Sequence, residues 1–105
     1  MQALVSIPAT ATPGQIVDIK VLISHPMETG FRPRIDGSMV PRDIITRLVC
    51  RYDGETVLEI DLNPAIAANP FFAFPLRVDR SGEVELEWTD WQGTLHRQSG
   101  RIEVA

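Results

Sequence analysis

The sequence is poor in several of the residues that usually advertise chemistry. Cysteine occurs once, at Cys50, so no intramolecular disulfide can form and the fold does not depend on oxidation. There are two histidines, His25 and His96, far apart in the chain. Lysine also occurs once: Lys20 stands alone against nine arginines. Arginine favours planar, bidentate contacts and interfaces over a diffuse charged surface. The net charge is −4 and the pI about 5.0, which removes the basic face that nucleic-acid binding requires. No apolar run approaches the roughly 20 residues of a membrane-spanning helix, so no membrane span is expected. The opening MQALVSIPATATPG has no charged n-region, long apolar stretch or cleavage site, so no signal peptide is expected.

What is present is alternation. At 105 residues and 44% hydrophobic, the chain suits one globular domain, long enough to bury a modest core. Ile16–Ser24 places Val17, Ile19, Val21 and Ile23 on one face, with Asp18, Lys20 and Ser24 opposite. That is a half-buried strand. Leu4–Ile7 reads as a shorter strand before it, across a Pro13-Gly14 turn. Ile44–Tyr52 and Thr56–Leu62 flank Asp53-Gly54, a hairpin signal. Pairing by polarity favours a three-residue loop: Arg51 opposite Glu55, Cys50 opposite Thr56, Leu48 opposite Leu58. That register predicts a type I turn with a bulge at a left-handed Gly54. Asn63–Pro70 reads as a crossover loop with one helical turn at Ala65–Ala68. Phe71–Val78 aims Phe72, Phe74, Leu76 and Val78 at one face, and Pro75 marks an edge or a bulge. Glu83–Thr89 alternates Val84, Leu86 and Trp88 inward against a solvated face of Glu83, Glu85 and Glu87. Thr94–Gln98 and Arg101–Val104 form a last strand broken at Gly100. The sum is all-β: an immunoglobulin-like β-sandwich of about seven to eight antiparallel strands in one domain, residues 1–105.

The longest connection, His25 to Pro41, runs without periodicity. Loops of that length are usually functional or fold on themselves. Asp36-Gly37 predicts a hairpin tip inside it.

Four constellations compete for a function. His25, His96, Cys50 and Met27 include every ligand type of a blue-copper site. Cys50, however, lies inside a predicted strand with no histidine close downstream, and reads as a core thiol. No metal and no cofactor are expected. His25, Glu28, Asp36, Asp43 and His96 could supply an acid and a base. No nucleophile sits on a strained turn beside them, so catalysis is not expected. Arg32, Arg34 and Arg42 near the long loop suit small oxyanions, or simply a solvated rim. The fourth is association. Residues 70–74 (PFFAF) are apolar on both faces of their strand, which implies double cover or an interface.

The runs LISHPMETG, VPRDII, DGETVLEIDLNPAIAANPFFAF, WTDWQGT and the closing IEVA, in this order and spacing, resemble the SoxZ family. SoxZ is the small subunit of the SoxYZ sulfur-carrier complex of bacterial thiosulfate oxidation. The resemblance implies an immunoglobulin-like sandwich that is not itself an enzyme. It implies a heterodimer with a SoxY-like subunit whose mobile C-terminal arm carries the sulfur intermediate on a cysteine. This chain has no such arm, so Cys50 is not the carrier. Transient contact with other Sox enzymes is expected, as is periplasmic location by co-export with a signal-bearing partner. An isolated chain could form a homodimer. Partner contacts are assigned to His25, Met27, Glu28, Arg32, Phe71 and Phe72. The alternatives are a self-associating adhesion or accessory domain and a carrier partner for another dehydrogenase system.

Overall fold

The computed structural model describes residues 3–62 and 68–105. Eight strands follow one another: β1 (Ala3–Ser6), β2 (Thr10–Ala11), β3 (Gln15–Ile23), β4 (Ile45–Tyr52), β5 (Glu55–Asp61), β6 (Phe71–Val78), β7 (Gly82–Asp90) and β8 (Leu95–Val104). They form two sheets, one ordered β1-β3-β6 and the other β2-β8-β7-β4-β5. The pairings are antiparallel except one: β2 runs parallel to β8, which the expectation of an antiparallel sandwich did not include. The proposed helical turn at Ala65–Ala68 falls largely outside the described residues.

The core is the sum of the inward positions. Val17, Ile19, Val21 and Ile23 of β3 face Leu48, Cys50, Val84, Leu86, Trp88 and Ile102 of the other sheet. Period-two alternation alone puts them there. Burial pushes the Cys50 thiol up to about 11, so it stays protonated and works as a small apolar side chain. Pro75 lies on β6, an edge strand, where its missing N–H leaves no gap in a ladder on the open side.

Three details depart from the sequence reading. The β4–β5 turn has two residues, with Tyr52 opposite Glu55 and both Asp53 (φ 51°) and Gly54 (φ 81°) left-handed. That is the primed geometry that matches strand twist. The bulge sits further along, where the register shifts between Cys50 and Arg51. The predicted pairs Arg51–Glu55, Cys50–Thr56 and Leu48–Leu58 are not formed: Arg51 lies opposite Thr56, Cys50 opposite Leu58 and Leu48 opposite Ile60, and the two-residue displacement at Cys50 and Leu48 keeps the same face apolar. Polarity therefore gave the right face and not the right partners. Second, β8 is continuous through Gly100. Glycine is there for space: a Cβ would come within 3.1 Å of Ile7 Cδ1.

Third, Glu87 is not solvated. It is 8% exposed, covered by the guanidinium groups of Arg97 (2.7 Å) and Arg51 (3.3 Å). The hydrogen bond from Arg97, reinforced by Arg51, holds its carboxyl below the usual range against the opposing effect of burial. A depressed carboxyl pKa stabilises the fold above the unfolded value and loses that contribution as pH falls through the folded value. We therefore predict that Glu87→Gln lowers the thermal midpoint at pH 7. The gap to wild type should close as the pH drops below about 4. Parallel melting curves across that range check it.

Candidate functional surface

The connection between β3 and β4, residues 24–44, is built around one buried imidazole. β3 ends where the Ile23 N–H reaches Pro70 O (3.0 Å). Pro26 then withholds the donor another strand residue would need. Between them, the His25 backbone is tied twice to Asn69: its N–H donates to Asn69 Oδ1 (3.0 Å), and its carbonyl accepts from the Asn69 N–H (2.7 Å). The ring, 4% exposed, accepts the Met27 N–H at Nδ1 (2.9 Å). Accepting there places the neutral ring's proton on Nε2, which faces Asp43 Oδ1 at 3.4 Å.

Met27 continues the tie. Its φ of 52° is a left-handed value that costs a non-glycine residue about 1 kcal/mol or more. That turn drives the side chain inward, to 5% exposure, where Sδ accepts the Ile45 N–H at 3.2 Å. Glu28 and Asp43 then exchange both backbone hydrogen bonds (2.7 and 2.8 Å). The connection is thus closed at its base. Beyond it, residues 31–39 are exposed throughout and fold as a small hairpin, Pro33 opposite Met39, with Gly37 at the tip. This is the hairpin that Asp36-Gly37 forecast.

Of the residues assigned to partner contact, the structure therefore puts His25 and Met27 inside, as framework. Glu28 is half-buried and grips Arg32, with Arg32 Nη2 2.6 Å from Glu28 Oε1. That hydrogen bond holds the Glu28 carboxyl below its usual range. Phe72 packs inward against the core, whereas Phe71 is 59% exposed. The outer face of the three-stranded sheet carries Leu4, Leu22 and Phe71 in one row, since Leu4 pairs with Leu22 and Leu22 with Phe71. With Val5, Ser6 and Lys20 they line a shallow open hollow of about 320 Å³. The row lies at the same end of the sandwich as the His25 loop, because Leu22 stands two strand positions before Ser24 and Phe71 two after Asn69.

One cluster escaped the sequence reading. The Arg42 guanidinium lies over two exposed rings, 5.6 Å from the Phe31 centroid and 5.4 Å from that of Trp91. Its Nε donates to Thr29 O at 2.6 Å. Gly30 (φ 91°) makes room, because a Cβ there would sit 3.2 Å from Arg42 Cβ. Trp91 is presented by a rigid turn: Asp90 Oδ1 accepts the N–H groups of Gln92 (3.0 Å) and Thr94 (2.9 Å), and Oδ2 meets His96 Nε2 at 3.0 Å. The His96 contact holds the Asp90 carboxyl below its usual range. Nothing local links Arg42 to Trp91, so only the fold could reveal the pair.

Among the described residues, no three of His, Cys, Asp and Glu gather as a set that could hold a metal ion. If His25 is the tie that closes the loop, His25→Ala should cost about 2–4 kcal/mol, a buried ring and its hydrogen bonds together. Denaturant titration would measure this. Amide exchange should accelerate chiefly at Met27, Glu28 and Ile45, with little change in β7.

Solved structures extend the fold. The chain is similar to superoxide reductase (neelaredoxin) from Ignicoccus hospitalis, with a TM-score of 0.71 at 15% identity over 100% of this chain and 81% of that one. It is similar to the sulfur carrier protein SoxY from Chlorobium limicola f thiosulfatophilum, with a TM-score of 0.69 at 17% identity over 98% of this chain and 79% of that one. It is also similar to the fibronectin(III)-like modules of Clostridium thermocellum CbhA, with a TM-score of 0.58 at 14% identity, covering 99% of each. At such identities these likenesses establish the immunoglobulin-like sandwich and nothing of the chemistry. Among curated protein sequences none matches. A family model is decisive where these are not: that of the sulphur oxidation protein SoxZ matches residues 5–101, and the chain therefore belongs to the SoxZ family, with a role in Sox sulfur oxidation.

Proposed function

We propose that this chain is the non-catalytic subunit of a SoxYZ-type carrier complex. It binds a SoxY-like subunit and supports the cysteine-bound sulfur intermediates of thiosulfate oxidation. The observation that carries this reading is the apolar row Leu4–Leu22–Phe71, exposed at Leu4 and Phe71 and half-buried at Leu22, on the outer face of a small sheet, in a chain of the SoxZ family. A solvated face of alternating polar residues would be the norm for an antiparallel sheet. Three large apolar side chains in one cross-strand row instead offer the apolar centre of an interface. Both flanking strands, β1 and β6, are edges with unpaired backbone groups to offer.

The division of labour is physically reasonable. A sulfur group on a mobile arm has to visit several enzymes and be shielded between visits. A rigid sandwich can hold the base of the arm and give those enzymes a surface for transient docking. The only cysteine, Cys50, is buried and protonated, so the carried sulfur belongs on the partner. Under this reading the pair reaches the periplasm together, on the partner's export signal.

Phe71→Asp is the direct test. Placing a charge at the centre of an apolar contact should weaken SoxY capture by about 30-fold or more, equivalent to roughly 2 kcal/mol. The fold should remain intact, because Phe71 lies outside the core. Co-purification at undiminished yield would contradict the proposal. A row used for self-association instead would appear as a dimer of the isolated chain that Phe71→Asp dissociates, with no capture of SoxY by either form.

A further inference from the structure

Among the described residues, six of the nine arginines lie within ion-pair distance of a carboxylate (Arg32, Arg47, Arg51, Arg80, Arg97 and Arg101), whereas Arg34, Arg42 and Arg77 do not. Arg42 is held differently. It lies over the rings of Phe31 (5.6 Å to the centroid) and Trp91 (5.4 Å), and its Nε donates to the Thr29 carbonyl. No described residue accepts a hydrogen bond from its two terminal nitrogens. The carboxylates nearest to it in sequence and in the adjoining turn are engaged elsewhere: Asp43 faces His25, Glu28 binds Arg32, and Asp90 binds His96 and its own turn. In a protein of net charge −4, this is a positive group arranged with care and left without a counter-charge.

The arrangement suits a particular ligand. A guanidinium held against two rings and tied at Nε has already lost much of its rotamer freedom, so binding costs little further ordering. Its Nη1 and Nη2 edge offers parallel donors to two oxygens of one group. One cation in an acidic protein favours a monoanion over a dianion. Aromatic walls also favour a polarizable sulfur next to the charged oxygens. The chemistry that meets all of these is an S-sulfonate, a sulfur-linked SO3 group with a single negative charge.

We infer that Arg42, held over the rings of Phe31 and Trp91, is a binding site for a sulfonate-type monoanion at the loop end of the sandwich. The inference rests on the carrier reading for its natural source, the sulfur group borne on the partner's arm. The binding chemistry itself does not depend on that reading.

The test uses the full chain and Trp91 emission, with the Arg42 Nε–H cross-peak in a heteronuclear spectrum as a second readout. S-sulfocysteine, a short peptide bearing S-sulfonated cysteine, inorganic sulfate and unmodified cysteine are titrated in turn. Saturable changes with the two S-sulfonates, weaker with sulfate and absent with cysteine, are expected. Tighter binding of the peptide would assign the arm as the source, and equal binding would assign the free small molecule. Arg42→Ala should weaken S-sulfonate binding about tenfold or more. Arg42→Lys keeps the charge but loses the fork, and should fall between. It also serves as the probe if Arg42→Ala fails to fold. Binding that survives both substitutions, or no saturable change at all, overturns the inference. If binding is weakened in Arg42→Lys while SoxY capture is retained, the site is supported and separated from the Phe71 row. If S-sulfonates fail to bind while SoxY capture proceeds, the site is wrong and the carrier reading stands.

Discussion

The loop end of this sandwich depends on a buried imidazole that accepts a backbone hydrogen bond. His25 sits where β3 stops, and everything beyond it has to be turned back toward β4 without a strand to follow. Its Nδ1 takes the Met27 N–H, its backbone is tied to Asn69, and its Nε2 faces Asp43. Met27, forced into a left-handed conformation, fills the gap beneath and accepts the Ile45 N–H. Without these ties the loop would carry unsatisfied donors beside the core, at about 1–3 kcal/mol each. With them, the loop base is as determined as the strands, and the hairpin beyond it is held out for use.

Two surfaces inherit this rigidity, and they differ in character. The Leu4–Leu22–Phe71 row is flat and apolar, and belongs to the sheet. The Arg42 cluster is compact and cationic, and joins the loop to the β7–β8 turn. An apolar row gives affinity by excluding water, whereas a fixed guanidinium selects for charge and geometry. Under the proposed carrier reading, a subunit that holds another protein while meeting that protein's charged cargo has a use for both, at one end.

The fold was legible because β-sandwiches write their core in alternation. β3 and β7 could be assigned, face by face, from residues 16–24 and 83–89. The pairing of apolar with apolar across β4 and β5 was also correct in purpose. The turn itself was harder: a two-residue turn with an irregularity between Cys50 and Arg51 displaces the predicted pairs at Cys50 and Leu48 by two residues, and a shift of two leaves every side chain on the same face, so polarity could not tell the registers apart. Glu87 was misread because alternation reports which face a residue is on and not whether arginines lie over it. The site was legible in outline only. LISHPMETG marked the loop, but whether His25 and Met27 face solvent or core depends on Asn69, Asp43 and Ile45, at separations no local pattern records. The Phe31–Arg42–Trp91 cluster lay further out of reach, because three side chains from two distant turns become neighbours only once both sheets are packed.

The central claim is that this end of the sandwich, organised by His25, is the face that meets the carrier subunit. Amide hydrogen exchange of the chain alone and in complex with SoxY tests it most directly. Protection on binding is expected at residues 3–6, 20–22 and 71–73, and in the loop from 28 to 42. The β4–β5 turn around Gly54, at the opposite end, should be unchanged. Protection confined to that opposite end, or to the outer face of the five-stranded sheet, would contradict it.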